Sequence, residues 1–238
     1  MTIYDHVTER YSYQGQDEFV LTVLGGMRNG YFLDSGASNG VRGSNTFLLE
    51  TSFQWRGICV EPNEQMFGEL VRNRKCVCVR CCLYDRDGEV EFLEDAGVYG
   101  GILGEYDPEH LRFTRHVLGQ QWPEGAPAPT VTKPARTIRS VLRQAGAPRV
   151  IDYWSLDTEG SELALLRSFP FDEYRVRVLT VEHNDSSARE PIREFLESRG
   201  YTRVAVLGID DGYAWNGEVP ARAWRSAAWR GVRRGTIG

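Results

Sequence analysis

The stretch "YFLDSGASNGVRGSNTFLLE", residues 31–50, runs from apolar residues into a carboxylate and then into glycines. Tyr31, Phe32 and Leu33 read as a buried strand stopping at Asp34, and the segment 45–52 reads as the helix after it. Between them, Gly36 and Gly40 leave a turn nearly bare, so that the backbone can approach a ligand and offer N–H groups to a polar or anionic one. A diphosphate dinucleotide would call for G-x-G-x-x-G, which the stretch lacks. A strand-terminal acid before a glycine turn suits instead a cofactor with an amino-acid tail, whose ammonium needs acceptors and whose carboxylate needs donors.

Working outward, apolar runs alternate with helical stretches in the manner of a parallel sheet covered by helices. "RGICVE" (56–61) is a second strand ending in Glu61, and a helix follows Pro62. "KCVCVRCCL" (75–83) reads as one third strand, and "GEVEFLE" (88–94) alternates like an antiparallel arm. Residues 95–135 are rich in Gly and Pro, with one helical piece at 108–118, and read as a lid-like excursion. Regularity resumes with a short strand running into a helix at 137–146. Strands follow at 150–157 and 176–184, each with its helix, and the segment 202–217 closes the order as a hairpin. The fold class is α/β with a mostly parallel twisted sheet. Residues 1–220 form a single domain, with a basic tail at 221–238.

The 238 residues carry a net charge of −5, which gives no global signature of nucleic-acid binding, and the expected partners exclude nucleic acid and membrane. The opening residues are polar and acidic, unlike a secretory signal, and the cytoplasm is the expected compartment. Four cysteines crowd into 76–83, where alternating strand faces would point the thiols apart. Packing as small hydrophobes therefore competes with a zinc site. The tail interleaves Arg222, Arg225 and Arg230 with Trp224 and Trp229, and no function is assigned to it.

Four strands end in polar residues, Asp34, Glu61, Asp157 and Glu182, and a parallel arrangement brings all four to one sheet edge, where such folds bind ligands. Glu61 suits the two hydroxyls of a ribose. "FLDSGASNGVRGSNTFLLE", "WRGICVEPNEQMFGELVRNR" and "IDYWSLDTEGSELALLRSF" resemble the FkbM-type S-adenosylmethionine-dependent methyltransferases. "YSYQGQDEFV" with Ser44-Asn45-Thr46 is similar to a Star-like subgroup. The resemblance implies a Rossmann-like class I methyltransferase fold and S-adenosylmethionine as cofactor. It implies Asp34, Gly36, Ala37, Ser38 and Gly40 around the methionine moiety, Glu61 on the ribose, and Gln16 and Asn45 close by. Ser35 stands where family members often carry an aliphatic residue. By position, Cys82 and Leu83 cover the adenine.

For the chemistry, Asp157, Glu182 and His183 are the expected catalytic groups, with Asp157 also bordering the cofactor. His183 is a candidate general base, because its ordinary pKa lies near neutrality. The same three side chains can instead hold Mg²⁺ or Mn²⁺. A third possibility gives Asp157 and Glu159 to capping the next helix. Asp210 and Asp211 either end a strand at the active face or form a turn with Gly212. The expected reaction is O-methylation of a small molecule or glycan, with N-methylation and a non-catalytic interaction protein as alternatives. A homo-oligomer is compatible with all of them.

Overall fold

The computed structural model describes residues 11–216; the basic tail expected at 221–238 lies outside them. The first helix, α1 (Gln16–Val23), precedes β1 (Tyr31–Ser35), the strand of the opening stretch. Then come α2 (Phe47–Phe53), β2 (Arg56–Val60), α3 (Glu64–Asn73) and β3 (Val77–Val79). The second half supplies α5 (Ile138–Gln144), β7 (Val150–Leu156), α6 (Glu162–Ser168), β8 (Arg175–Glu182), α7 (Arg189–Ser198), β9 (Tyr201–Leu207) and β10 (Asp210–Trp215). These strands make one seven-stranded sheet in the order β3-β2-β1-β7-β8-β10-β9. Pairing is parallel from β3 to β8, and antiparallel where β10 inserts between β8 and β9. The order reverses between β1 and β7, which opens a crevice beyond their carboxyl ends.

Neighbouring residues on the central strands fall into different cores, as a period of two requires. Phe32, Tyr153 and Val178 pack with α1, α2 and α3, while Leu33, Trp154 and Leu179 pack with α5, α6 and α7. Both faces of the sheet are therefore covered, which explains why its strands read as continuous apolar runs.

The third strand differs from expectation. Only Val77–Val79 joins the main sheet; Cys82–Leu83 forms β4, which pairs with β6 (Val131–Arg136), while β5 (Gly88–Phe92) pairs antiparallel on the other side of β6. The chain changes sheets at Arg80-Cys81, and the cysteines divide with it: Cys76 and Cys78 pack beside Cys59 against one core, Cys81 lies in a second and Cys82 in a third. The excursion holds α4 (Pro108–Leu118) among short 3-10 turns, and it buries Leu93, Ala96, Tyr106, Leu118 and Trp122 in a small core of its own. Asp107 caps α4 by accepting from the Glu109 N–H, and Pro108 takes the first turn.

Candidate active site

At the crevice lies a cavity of about 760 Å³. Asp34, Gly36, Ala37, Ser38, Asn45, Glu61, Cys82, Leu83, Asp157, Glu182 and Gln16 all line it. Gly40 does not: its φ is +80°, and a Cβ there would stand 2.6 Å from Leu70 and 2.7 Å from Arg74, so this glycine serves close packing against α3.

The turn after β1 also spends its N–H groups differently from expectation. Gly36 and Ala37 both donate to the Val60 carbonyl at 3.0 Å, and the Ser38 N–H donates to Glu61 Oε2 at 2.7 Å. What the turn offers a ligand is closeness, because Gly36, at φ +85°, passes so near β7 that a Cβ would sit 1.8 Å from the Asp157 carbonyl oxygen. Ser35 is fully buried and accepts from the Trp154 indole at 3.0 Å, so its hydroxyl is matched by a donor on the next strand.

Arg74, which nothing in the spacing of the sequence singled out, locks this turn. Its guanidinium is buried at the end of α3, pairs with Glu50, and donates to the Gly40 carbonyl at 3.1 Å and to the Thr46 hydroxyl at 2.9 Å. Thr46 in turn donates to Asp34 at 2.5 Å. Burial raises the Asp34 pKa, and the Arg74 charge works against that rise. Asn45 donates to the Ser155 hydroxyl at 2.9 Å, leaving its own Oδ1 buried with no hydrogen-bond partner on the cavity wall.

Glu61 is held from two sides, by the Ser38 N–H and by the Asn63 N–H at 2.7 Å. Burial pushes its carboxyl up to about 7, with the two backbone donors pulling the other way. Since the folded value exceeds the ordinary 4.5, the folded state holds this proton more tightly, and stability declines as pH rises through 7. His110 and His183, both lowered by burial, oppose this as they titrate around their ordinary 6.5, whereas Asp157, Glu159 and Glu182, raised by burial, act with Glu61. Between pH 6.5 and 8.0 the thermal midpoint of the ligand-free protein is therefore expected to fall, by about 2–4 °C from Glu61 alone. Glu61→Gln should flatten the decline; a midpoint that rises over this window contradicts the assignment.

At the far end of the cavity, Asp157, Glu159 and Glu182 bring carboxylate oxygens within 4.8 Å of one another. Burial raises all three pKa values well above the ordinary range; neighbouring carboxylates, Asp210 and Glu162 among them, add to the rise, while Glu182 works against it at Asp157 by a side-chain hydrogen bond. The capping alternative fails, because α6 starts after Ser161 with no side-chain cap, and the turn before it is held by Glu162, which accepts from the Thr158 and Gly160 N–H groups. Asp157 and Glu159 are thereby left to the cavity.

His183 does not join them. Glu182 ends β8 facing the cavity and the next side chain points the opposite way, where His183 Nδ1 accepts from the Asp185 N–H at 3.0 Å and Nε2 stands 3.8 Å from Asp211. The residue brought instead is His110 of α4, whose Nε2 lies 3.1 Å from Glu159 and whose Nδ1 lies 3.3 Å from the Asn184 amide. Burial lowers its pKa, which favours the neutral imidazole, and Glu159 Oε2 is left without a hydrogen-bond partner although Nε2 is near. Asp210 belongs to the active face: it lines the cavity, accepts from Gln16, and is pushed up to about 6 by burial, while Gly208 makes the turn. Asp211 faces away into an ion pair with Arg189 at 2.9 Å.

No helix among the described residues is long and apolar enough to cross a membrane. No curated protein sequence matches the chain. Among solved structures, the METTL16 MTase domain is similar at 14% identity with a TM-score of 0.44, over 84% of this chain and 65% of that one. The N-terminal domain of human METTL16 in complex with SAH is similar at 14% identity and 0.42, over 83% and 67%. The hMettl16 catalytic domain in complex with MAT2A 3'UTR hairpin 6 is similar at 15% identity and 0.40, over 84% and 68%. The chain thus spans about two thirds of the length of these structures.

The exclusion of nucleic-acid partners is corrected here, since one of these similar structures holds an RNA hairpin. Net charge was a poor ground for it, because partners respond to local potential rather than to the sum. The model of the methyltransferase FkbM domain matches residues 34–203, which takes in the glycine turn, Glu61, the acidic group and both sheet halves. The match reaches the family and not the Star-like subgroup. With its parallel sheet, its crevice at the order reversal and this match, the chain belongs to the FkbM methyltransferase domain family and is an S-adenosylmethionine-dependent methyltransferase.

Proposed function

We propose that the chain transfers the methyl group of S-adenosylmethionine to a hydroxyl oxygen of a small polyhydroxylated acceptor, a sugar or a related group of a natural product or glycan. The carrying observation is the group Asp157, Glu159 and Glu182, which at neutral pH and in the presence of ligand offers acceptors to the hydroxyl protons of whatever enters beside it. In this reading Glu61 takes the ribose hydroxyls, while Asp34, Asn45 and Gln16 surround the methionine end, with Asn45 Oδ1 accepting from the ammonium. Cys82 and Leu83 flank the adenine.

The acceptor oxygen approaches the methyl carbon from the side opposite sulfur. Its proton passes to the carboxylate group, a lone pair forms the new O–C bond, and the electrons of the S–C bond return to sulfur, leaving S-adenosylhomocysteine. A panel of sugars, aliphatic amines and short RNAs offered with methyl-labelled cofactor tests the reading. Label is expected on sugar hydroxyls, and Asp157→Asn is expected to lower the rate by about 100-fold or more. Label on amines or RNA alone overturns the choice of acceptor.

A further inference from the structure

We propose that Asp157, Glu159 and Glu182 bind one divalent metal cation of the Mg²⁺ or Mn²⁺ class, which gathers acceptor oxygens beside the transferred methyl group. The three carboxylates come from two neighbouring strand ends, and their nearest oxygens lie within 4.8 Å of one another. That spread matches opposite or adjacent ligands of a single ion bound at about 2.1–2.4 Å, after at most a small inward movement. Among the described residues no lysine or arginine forms an ion pair with any of the three, and the ring that does approach, His110, has its Nε2 3.1 Å from Glu159.

The independent observation is Glu182. The residue is 5% exposed at the end of β8 and lines the cavity, and its Oε2 is buried with no hydrogen-bond partner. A buried carboxyl oxygen left unpaired in such a place costs folding free energy, which a cation removes by coordinating the ionised form. With His183 pointing elsewhere, every ligand is oxygen, which suits Mg²⁺ or Mn²⁺ and leaves the remaining positions for water and acceptor oxygens. His110 stands beside the group, with Nε2 3.1 Å from Glu159 and Nδ1 3.3 Å from the Asn184 amide, and Glu159 Oε2, like Glu182 Oε2, is buried with no hydrogen-bond partner. The role beside the methyl group rests on the acceptor reading above, whereas the binding of the cation does not.

The test is Mn²⁺ titration of the full chain, followed by calorimetry and by loss of the free-ion EPR signal, with the thermal midpoint recorded in parallel. One Mn²⁺ per chain is expected, displaced by Mg²⁺ and accompanied by a rise in midpoint. Glu182→Gln should weaken binding by at least about 10-fold, the least that loss of an outer partner costs. Glu64→Gln, on an exposed carboxylate of α3, should leave it unchanged. Far-UV spectra and S-adenosylhomocysteine binding on the same preparations show that the variants are folded. No Mn²⁺ binding, equal binding by Glu182→Gln, or stabilisation by primary amines and not by Mn²⁺ overturns the inference. If S-adenosylhomocysteine still binds in any of these cases, the methyltransferase reading is untouched.

Discussion

Gly36→Ala is expected to lose more than about 4 kcal/mol of stability and to fail to accumulate as folded protein. Two effects combine at this position. A φ of +85° strains any residue with a Cβ, and that Cβ would stand 1.8 Å from the Asp157 carbonyl oxygen. Neither strand can retreat: the Asp157 N–H is bonded to the Ser35 carbonyl at 3.1 Å, and the Gly36 N–H to Val60 at 3.0 Å. Gly25 separates the two effects, because at φ +62° it has nothing within 4 Å of its would-be Cβ. Gly25→Ala should therefore cost only the strain, about 1 kcal/mol. Soluble yield and far-UV spectra of the two variants, with urea unfolding of any that folds, check this, and equal, small losses would show that the approach of the glycine turn to β7 is looser than described.

The same glycine shows where the sequence was informative. Its place after a strand-terminal acid announced a site, and the alternation around it announced the sheet, since a buried parallel strand and an amphipathic helix leave different periods. Glu61 and Asp157 were legible because each ends an apolar run, and strand ends converge once the strands are parallel. His183 was misplaced for an equally simple reason: adjacent residues at a strand end face opposite ways, so Glu182 and His183 could not both reach the cavity.

Other features had no signal in one dimension. Arg74 sits 28 residues from the Thr46 hydroxyl it holds, and only the packing of α3 against the turn joins them. His110 lies on the helix expected at 108–118, but its approach to Glu159 depends on how the excursion folds back over the sheet edge, which local pattern does not record. The break of the third strand followed from pairing: its last residues find β6, which lies about fifty positions further on, a choice that local pattern does not record.

Glu61→Ala carries the second large effect, on ligand binding. The carboxylate is fixed by two backbone donors and still presents lone pairs to the cavity, so it is already aimed before a ligand arrives. Two hydroxyls of a ribose would exchange water for a charge-assisted pair of hydrogen bonds in a buried place, each worth about 1.5–3 kcal/mol. Truncation removes both and also frees the Ser38 and Asn63 N–H groups, which loosens the turn on the cavity wall. A loss of about 100-fold or more in affinity is expected.

The most direct measurement is calorimetric titration of the purified full chain and of Glu61→Ala with S-adenosylhomocysteine, each shown to be folded by its thermal transition. The account predicts one site per chain in the wild type and heat too weak to fit, or an affinity lower by about 100-fold, in the variant. A folded wild type that takes up no S-adenosylhomocysteine at high micromolar concentration, or a variant that binds as tightly as the wild type, would contradict it.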